Sequence, residues 1–402
     1  MADQSGAVAT APPRHLASGA LQIAVLAALA SMGTLATNIL LPSLPQMATS
    51  LNVTSAAITS AITIYLAAFA FGQLLVGPLS DRCGRRWPVL VGFAVFFAGS
   101  VWCGLASDLP NLLIGRVLQA SGACATAVLS RAIARDLFSG AALARAMALI
   151  MIAMSVAPGF SSLLGGALDH TFGWRSEFAL VAVLAVIGAI AYGIVLGETH
   201  NSVRTPFDPF AIIRAYVSLI GDRRFAVPAA TVSLTIGGLF SMFSASPRIF
   251  IEALHFTPIQ LFFAGTVFIV FAAGMLATKL AARHGLKRSI RAGLWATAAG
   301  SLGILLVSLF NPTFLPYLCA MSLFLLGMGI VSPLGAAQAL SPFGEKAGAA
   351  SAMIGFWQML NAAAGAWLAA TVSHEAIFAL GVVLTIFSLA ALGLYALKPG
   401  VA

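Results

Sequence analysis

Long apolar segments recur along the whole of this chain, and they constrain its fold more than any other feature. About a dozen windows reach the ~20 apolar residues that a helix needs to span a bilayer. Hydrophobic residues make up 60% of the 402 positions and charged residues only 8%, and the mean hydropathy is +0.99. A soluble domain carries about 25% charged residues. The sequence therefore predicts an all-α integral membrane protein.

Twelve spans are predicted in two sets of six. The first set covers 19–41, 56–79, 88–107, 110–133, 143–168 and 176–197, and the second covers 225–247, 258–281, 289–309, 313–335, 347–371 and 375–397. We interpret 1–18 as a cytoplasmic tail, 19–197 as an N-terminal six-helix bundle, 198–224 as a cytoplasmic linker and 225–397 as a C-terminal six-helix bundle. Within the linker, "FDPFAIIRAYVSLI" has the pattern of an interfacial amphipathic helix.

The positions of the cations predict the orientation in the membrane. If both termini and the even-numbered loops share one side, that side holds 18 of the 21 Lys and Arg residues, Arg131 among them. The other side holds Arg175 and Arg248, and Arg116 lies inside a span. Lys and Arg are enriched in cytoplasmic loops, so both termini are predicted to be cytoplasmic. The net charge of +9 then follows from topology, and no nucleic-acid partner is expected.

Residues suited to catalysis or metal binding are few and scattered. The four cysteines show no CxxC spacing, and the six histidines lie in loops or near the chain ends. We therefore expect no enzyme, no metal site and no cofactor. A receptor or scaffold is disfavoured because the sequence has no sizeable soluble domain.

The segment "GPLSDRCGRR" (77–86) places four charges in six consecutive positions of the predicted cytoplasmic loop between spans 2 and 3. A related stretch, "LAARHGLKR", closes span 8, and its Gly285 lies half a chain length after Gly84. A repeat at this spacing favours two duplicated six-helix units, although basic loops can also look alike by coincidence.

This segment resembles the loop 2–3 signature of the major facilitator superfamily, G-x-L-x-D-R-x-G-R-R. The residues that match and that we assign to gating are Gly77, Asp81, Arg82, Gly84, Arg85 and Arg86, and Leu79 also fits the pattern. The resemblance implies that Asp81 lies near the cytoplasmic start of span 11 and latches the two halves together, with the favourable energy of a carboxylate at a helix N-terminus. Alternatively, the arginines only fix the topology.

Other stretches are similar to the Bcr/CflA branch of drug:proton antiporters. In "GRVLQASGACATAVLSRAIARDLF" (115–138), Arg116 and Gln119 match the fourth-span motif and Arg135–Asp136 closes it. "APGFSSLLGGAL" (157–168) resembles the fifth-span motif, with Pro158, Gly165 and Gly166 as helix-bending positions. "GWRSEF" (173–178) and "AGAASAMIGFWQM" (347–359) resemble the same branch. The branch implies an exporter in the bacterial inner membrane, and we expect a monomer.

The resemblance gives Arg116 a role in proton coupling or substrate binding. The alternative is an arginine that only bonds backbone carbonyls near the outer interface. Asn38 stands where the branch carries a span 1 acid, and an amide cannot carry a proton. Coupling would then use an acid near the membrane surface, or the protein would be a facilitator or exchanger.

The sequence therefore predicts a transporter of small neutral or weakly anionic amphiphiles by alternating access, with protons as the possible coupling ion. A cationic drug in such a cavity would lack a counter-charge. The candidate cavity residues are Tyr65, Phe240, Phe243, Gln338, Phe356, Trp357, Gln358 and Asn361, together with Asn38 and Gln119. A metabolite importer or facilitator of the same fold is the alternative.

Overall fold

The computed structural model describes residues 19–199, 209–254, 259–310, 313–373 and 375–396. The predicted tail at 1–18 lies outside these residues, as does the middle of the predicted linker. The described residues contain helices and no strand, which confirms the all-α prediction.

Fifteen α-helices follow one another along the described residues. Those before the linker are α1 (Gly19–Asn38), α2 (Leu44–Ser50), α3 (Ser55–Ile58), α4 (Ser60–Cys83), α5 (Arg86–Leu105), α6 (Leu109–Leu137), α7 (Gly140–Phe172) and α8 (Arg175–Val195). The linker contains α9 (Pro209–Gly221). It is followed by α10 (Arg223–Pro247), α11 (Ile259–His284), α12 (Leu286–Leu309), α13 (Phe314–Leu340), α14 (Ala347–Thr371) and α15 (Ala376–Ala396). A π-helical segment, Arg248–Ala253, continues α10, and a 3₁₀ segment, Ser341–Lys346, joins α13 to α14.

Six helices of at least 20 residues lie before α9 and six after it, as far as the described residues extend. By length and composition, ten segments can cross a membrane, and they lie in all of these long helices except α7 and α14. The protein is therefore a multi-pass membrane protein. Twelve crossings, and cytoplasmic termini, remain predictions.

Two long helices begin at a polar residue that satisfies one of their first free N–H groups. The carboxylate of Asp108 accepts from the N–H of Asn111 at 2.8 Å at the start of α6. That of Asp222 accepts from the N–H of Arg224 at 2.9 Å at the start of α10. Such caps are the usual choice where the first N–H groups of a helix have no partner.

The long helices before α9 pack mainly on one another, and so do those after it. Across the two sets, α4 packs on α14 and α7 packs on α11. The second long helix of each set thus meets the fifth of the other, an arrangement typical of two similar units facing each other.

Glycines at matching places allow close helix contact in both sets. Gly122 of α6 lies against Gly92 of α5, and Gly327 of α13 lies against Gly293 of α12. A Cβ on either of the later glycines would collide with a backbone carbonyl of the partner helix. Helices embedded in lipid gain their association energy from such close packing. Both units therefore use a glycine–glycine contact to hold two of their helices together.

Candidate functional site

The loop between α4 and α5 is shaped by Gly84 and Glu198. Gly84 ends α4 at φ +83°, where L-residues are strained. The Glu198 carboxylate accepts from the N–H groups of Arg85 at 2.9 Å and Arg86 at 3.2 Å. It therefore caps α5, and a Cβ on Gly84 would lie 2.5 Å from one of its oxygens. Gly285, the predicted repeat of Gly84, has φ +82° between α11 and α12.

Arg85 ties this loop to the end of α6. Its Nε lies 2.9 Å from Asp136 Oδ2, and its Nη1 donates to Ser80 Oγ at 2.6 Å. Thr199 Oγ1 contacts the same Asp136 oxygen at 3.5 Å. Arg85 is buried and the Asp136 side chain is 21% exposed, so this ion pair is only partly screened by solvent.

Three of the other residues assigned to gating lie at the surface. Arg82, Arg86 and Arg135 are exposed, and the space beside Gly77 is open. The side chain of Asp81 lies outside the described part of the structure. The latch between Asp81 and span 11 therefore stays a prediction.

Arg116 lies at the centre of a buried polar network in the N-terminal bundle. It is 0% exposed. Its Nε donates to Ala61 O and its Nη1 to Ala36 O, both at 3.1 Å. Nη1 also donates to Gln119 Oε1, and Gln119 Nε2 donates to Ser100 Oγ at 2.9 Å.

The ring of Tyr65 completes the surroundings of Arg116. The guanidinium carbon lies 4.1 Å from the ring centroid, within cation–π range. The Tyr65 hydroxyl donates to Gly33 O at 3.1 Å. Arg116 thus joins α1, α4 and α6. Two of its direct partners are backbone carbonyls, as the alternative of an arginine that only bonds carbonyls predicted.

A second buried polar group lies at the predicted outer end of the bundle. Asn38 Nδ2 donates to Thr34 O at 2.8 Å, and the carbonyl of Asn38 accepts from Ser162 Oγ at 3.1 Å. Ser43 Oγ donates to Glu177 Oε1, and Glu177 is 0% exposed. Glu177 is the second residue of the predicted span 176–197, and its hydropathy did not indicate the complete burial that the structure shows.

The fifth-span motif brings α7 against α1 near this group. Pro158 lies buried inside α7, and Gly165 lies so close to Ile39 that a Cβ would collide with the Ile39 carbonyl. Gly166 is half-buried. Gly165 therefore permits the close approach of α7 that positions Ser162 against Asn38.

A cavity of about 280 Å³ lies between the two sets of helices. Its walls come from α1, α4, α6 and α7 on one side and from α10, α13 and α14 on the other. Of the predicted cavity residues, Tyr65, Phe240 and Gln358 line it. Gln73, which no sequence argument singled out, also lines it and contacts Gly355 across the two sets.

The other predicted cavity residues lie elsewhere. Asn38 and Gln119 belong to the buried groups described above, and Phe243 packs beside Phe240. Gln338 accepts from the Tyr395 hydroxyl at 3.1 Å, and Asn361 Nδ2 donates to Trp357 O at 2.8 Å.

Two predicted aromatic residues pack beside the cavity rather than in its wall. The ring of Phe356 lies 5.4 Å from that of Phe71, and the ring of Trp357 lies 6.1 Å from that of Phe225.

Arg131 is the charged residue of the cavity that the sequence missed. The sequence places it among the predicted cytoplasmic cations, at the end of span 4. In the structure α6 continues to Leu137, and Arg131 is the one charged side chain among the nineteen described residues that line the cavity. Its Nη1 lies 3.9 Å from Met154 Sδ, and no described carboxylate pairs with it. The sequence feature that could have placed Arg131 on this helix is its position one helical turn before Arg135–Asp136.

The chain matches the sequence model of the Major Facilitator Superfamily over residues 26–366. The multidrug resistance protein MdtL of Salmonella heidelberg is 28% identical over 343 residues, covering 83% of this chain and 84% of that protein. Multidrug resistance protein D of Escherichia coli is 27% identical over 381 residues, covering 91% and 92%. YdgK of Bacillus subtilis, an uncharacterized MFS-type transporter, is 27% identical over 341 residues, covering 84% and 85%.

A solved structure with the same fold is that of a peptide transporter, POT, in complex with sulfate. It superposes with a TM-score of 0.76 at 12% identity, covering 94% of each chain. At that identity the likeness concerns the fold alone.

Proposed function

We propose, from the premise that this chain belongs to the Major Facilitator Superfamily, that it exports small amphiphilic compounds such as antibiotics, in exchange for protons. The family is one of transporters, so the chain is not an enzyme. The relatives named as multidrug resistance proteins and the "GWRSEF" and "AGAASAMIGFWQM" motifs support a place in the Bcr/CflA branch. We propose a monomer in the bacterial inner membrane, with both termini cytoplasmic and two six-helix halves moving around the cavity.

The charge of the residues in the cavity wall is the observation that supports the proposed substrate class. Eighteen of its nineteen described residues are uncharged, and the remaining one is Arg131. A cation about 4 Å from a guanidinium is repelled by roughly 4 kcal/mol at an effective dielectric constant of 20. An anionic group at the same distance is attracted by a similar energy, and a neutral amphiphile is neither attracted nor repelled in this way. We therefore propose neutral or weakly anionic substrates.

Accumulation assays in an efflux-deficient bacterium test this function. Three probes separate the charge classes: chloramphenicol is neutral, its hemisuccinate ester is an anion and ethidium is a cation. We expect the expressed chain to lower the accumulation of the first two and not of ethidium, and a protonophore to abolish the effect. Protection against ethidium alone would contradict the proposed substrate class.

The alternative is a facilitator, exchanger or importer of the same fold, without proton coupling. Asn38 in place of the span 1 acid favours it. Export that continues unchanged with the protonophore would support this alternative and rule out antiport.

A further inference from the structure

Glu177 is a buried acid that is only half satisfied. It lies in the first turn of α8 and is 0% exposed. Its Oε1 accepts from Ser43 Oγ, but its Oε2 has no hydrogen-bond partner among the described residues. An ionised carboxylate buried in this way carries a large desolvation cost, which a proton on the free oxygen removes.

Two other unsatisfied polar atoms lie in the same part of the bundle. They are Asn38 Oδ1 and Arg116 Nη2, both buried and without a partner in the described structure. Arg116 bonds to the carbonyl of Ala36, two residues before Asn38, and Ser43 follows Asn38 by five residues. Buried polar atoms normally find partners. Three such atoms on segments that these contacts bring near one another indicate a site that binds water or a proton.

The charges around Glu177 oppose each other. Arg116 of α6 lies near enough to favour its ionised form electrostatically, and Asp169 of α7 lies near enough to disfavour it. His170 of α7 is exposed. Arg175, two residues before Glu177, is occupied elsewhere, because its Nη2 donates to Ala106 O at 3.0 Å and its guanidinium lies over the Trp174 ring.

The other helices that pack here add little charge. The thiol of Cys103 on α5 is buried and lies 3.7 Å from Leu112 O. α1 and α2 contain no titratable residue. The surroundings that act on the protonation of Glu177 are thus its burial, the Ser43 hydroxyl that donates to Oε1, Asp169 and Arg116.

We propose that Glu177 is the proton-binding residue of transport, in the role that Asn38 cannot fill. This inference rests on the proposed antiport. A proton from the outer side forms an O–H bond at Oε2 and leaves a neutral carboxyl. When access changes, that bond breaks and the proton passes to cytoplasmic water, which leaves a carboxylate that Arg116 stabilises. The charge difference between the two forms couples proton uptake to the conformational change.

Infrared difference spectroscopy of the whole chain in lipid vesicles tests proton binding without any substrate. On raising the pH, we expect the wild type to lose a protonated-carboxyl C=O band that Glu177→Gln lacks from the start. The glutamine still accepts a hydrogen bond from Ser43, so it disturbs the fold little. Glu375→Gln is the matched control, because Glu375 is exposed at the corresponding helix start in the second set. An identical band in Glu177→Gln would overturn the inference.

Transport by the same vesicles separates this inference from the proposed function. With chloramphenicol and an imposed pH gradient, we expect Glu177→Gln to lose gradient-driven transport but to retain exchange of internal for external drug. Adding Asn38→Asp to that variant supplies an acid at the span 1 position and should restore the gradient dependence. If the wild type transports none of the probes, the proposed function fails while the carboxyl titration still stands. If Glu177→Gln keeps full gradient-driven transport, the inference alone fails.

Discussion

Arg116 and Arg131 lie on the same helix, yet their surroundings give them different capacities. Nε and Nη1 of Arg116 donate to Ala61 O, Ala36 O and Gln119, and Nη2 has no partner among the described residues. Arg131 faces the cavity, and its described side-chain contact is the weak acceptor Met154 Sδ. A guanidinium already bonded to carbonyls supports the fold, whereas one that faces a cavity with only a weak acceptor beside it can bind an anion.

Replacing Arg116 with lysine should destabilise the N-terminal bundle. A lysine ammonium cannot reproduce the fork that bonds both carbonyls and Gln119. Each buried acceptor left unpaired costs about 1–3 kcal/mol. We expect a lower Tm of the detergent-purified protein, while Arg135→Lys, at an exposed position, leaves the Tm unchanged. Equal Tm values for the two variants would contradict the structural role of Arg116.

Alanine at Gly84 should cost more stability than alanine at Gly285. Both glycines have φ near +82°, so backbone strain of about 1–3 kcal/mol applies to both. Only Gly84 also has the Glu198 carboxylate in the way of a Cβ, whereas the space beside Gly285 is open. Thermal unfolding of Gly84→Ala and Gly285→Ala measures the difference. A smaller loss at Gly84 would show that Glu198 does not occupy this position.

At the scale of helices, the start of α5 depends on a residue far away in the sequence. Glu198, just beyond α8, accepts from two N–H groups at that helix start, and Arg85 in turn bonds Asp136 at the end of α6. Three helix ends are thereby held together at the predicted cytoplasmic face. Substitutions in this cluster should therefore alter the relative positions of all three helix ends at this face.

Removing the Glu198 side chain should loosen α5 at its first turn. Loss of a capping acceptor costs about 0.5–2 kcal/mol. We expect Glu198→Ala to lower the Tm and to speed hydrogen exchange at the amides of Arg85 and Arg86. Glu198→Gln retains an acceptor and should have the smaller effect. Unchanged exchange in Glu198→Ala would show that the cap contributes nothing.

The existence and order of the helices could be predicted from the sequence, but their rotation could not. Apolar windows located the long helices, although α6 continues four residues past the predicted end of its span. Tyr65 and Gln358 face the cavity while Gln338 and Asn361 do not. In a lipid-embedded helix both faces are apolar, so periodicity carries little information about which face points inward. Close contacts such as Gly122 on Gly92 set that rotation.

At the scale of the whole molecule, the two sets of helices meet where α4 packs on α14. The rings of Phe71 and Phe356 lie 5.4 Å apart, and Gly355 contacts Gln73. The proposed alternating access requires this contact to open and close.

Linking α4 to α14 should therefore stop transport. In a background without native cysteines, we expect Phe71→Cys together with Phe356→Cys to react with a short bifunctional thiol reagent and to lose chloramphenicol export. A cleavable linker should allow reduction to restore it, and each single cysteine variant should remain active. Full export by the linked protein would contradict alternating access at this contact.

Equilibrium binding of the three charge-matched probes to purified chain in lipid nanodiscs is the most direct test of the cavity as a charge-selective transport site. We predict that the wild type binds chloramphenicol and its hemisuccinate more tightly than ethidium. Arg131→Gln should weaken hemisuccinate binding about tenfold, equivalent to ~1.4 kcal/mol, and Arg135→Gln should not. Tightest binding of ethidium by the wild type, or unchanged hemisuccinate affinity in Arg131→Gln, would contradict the account.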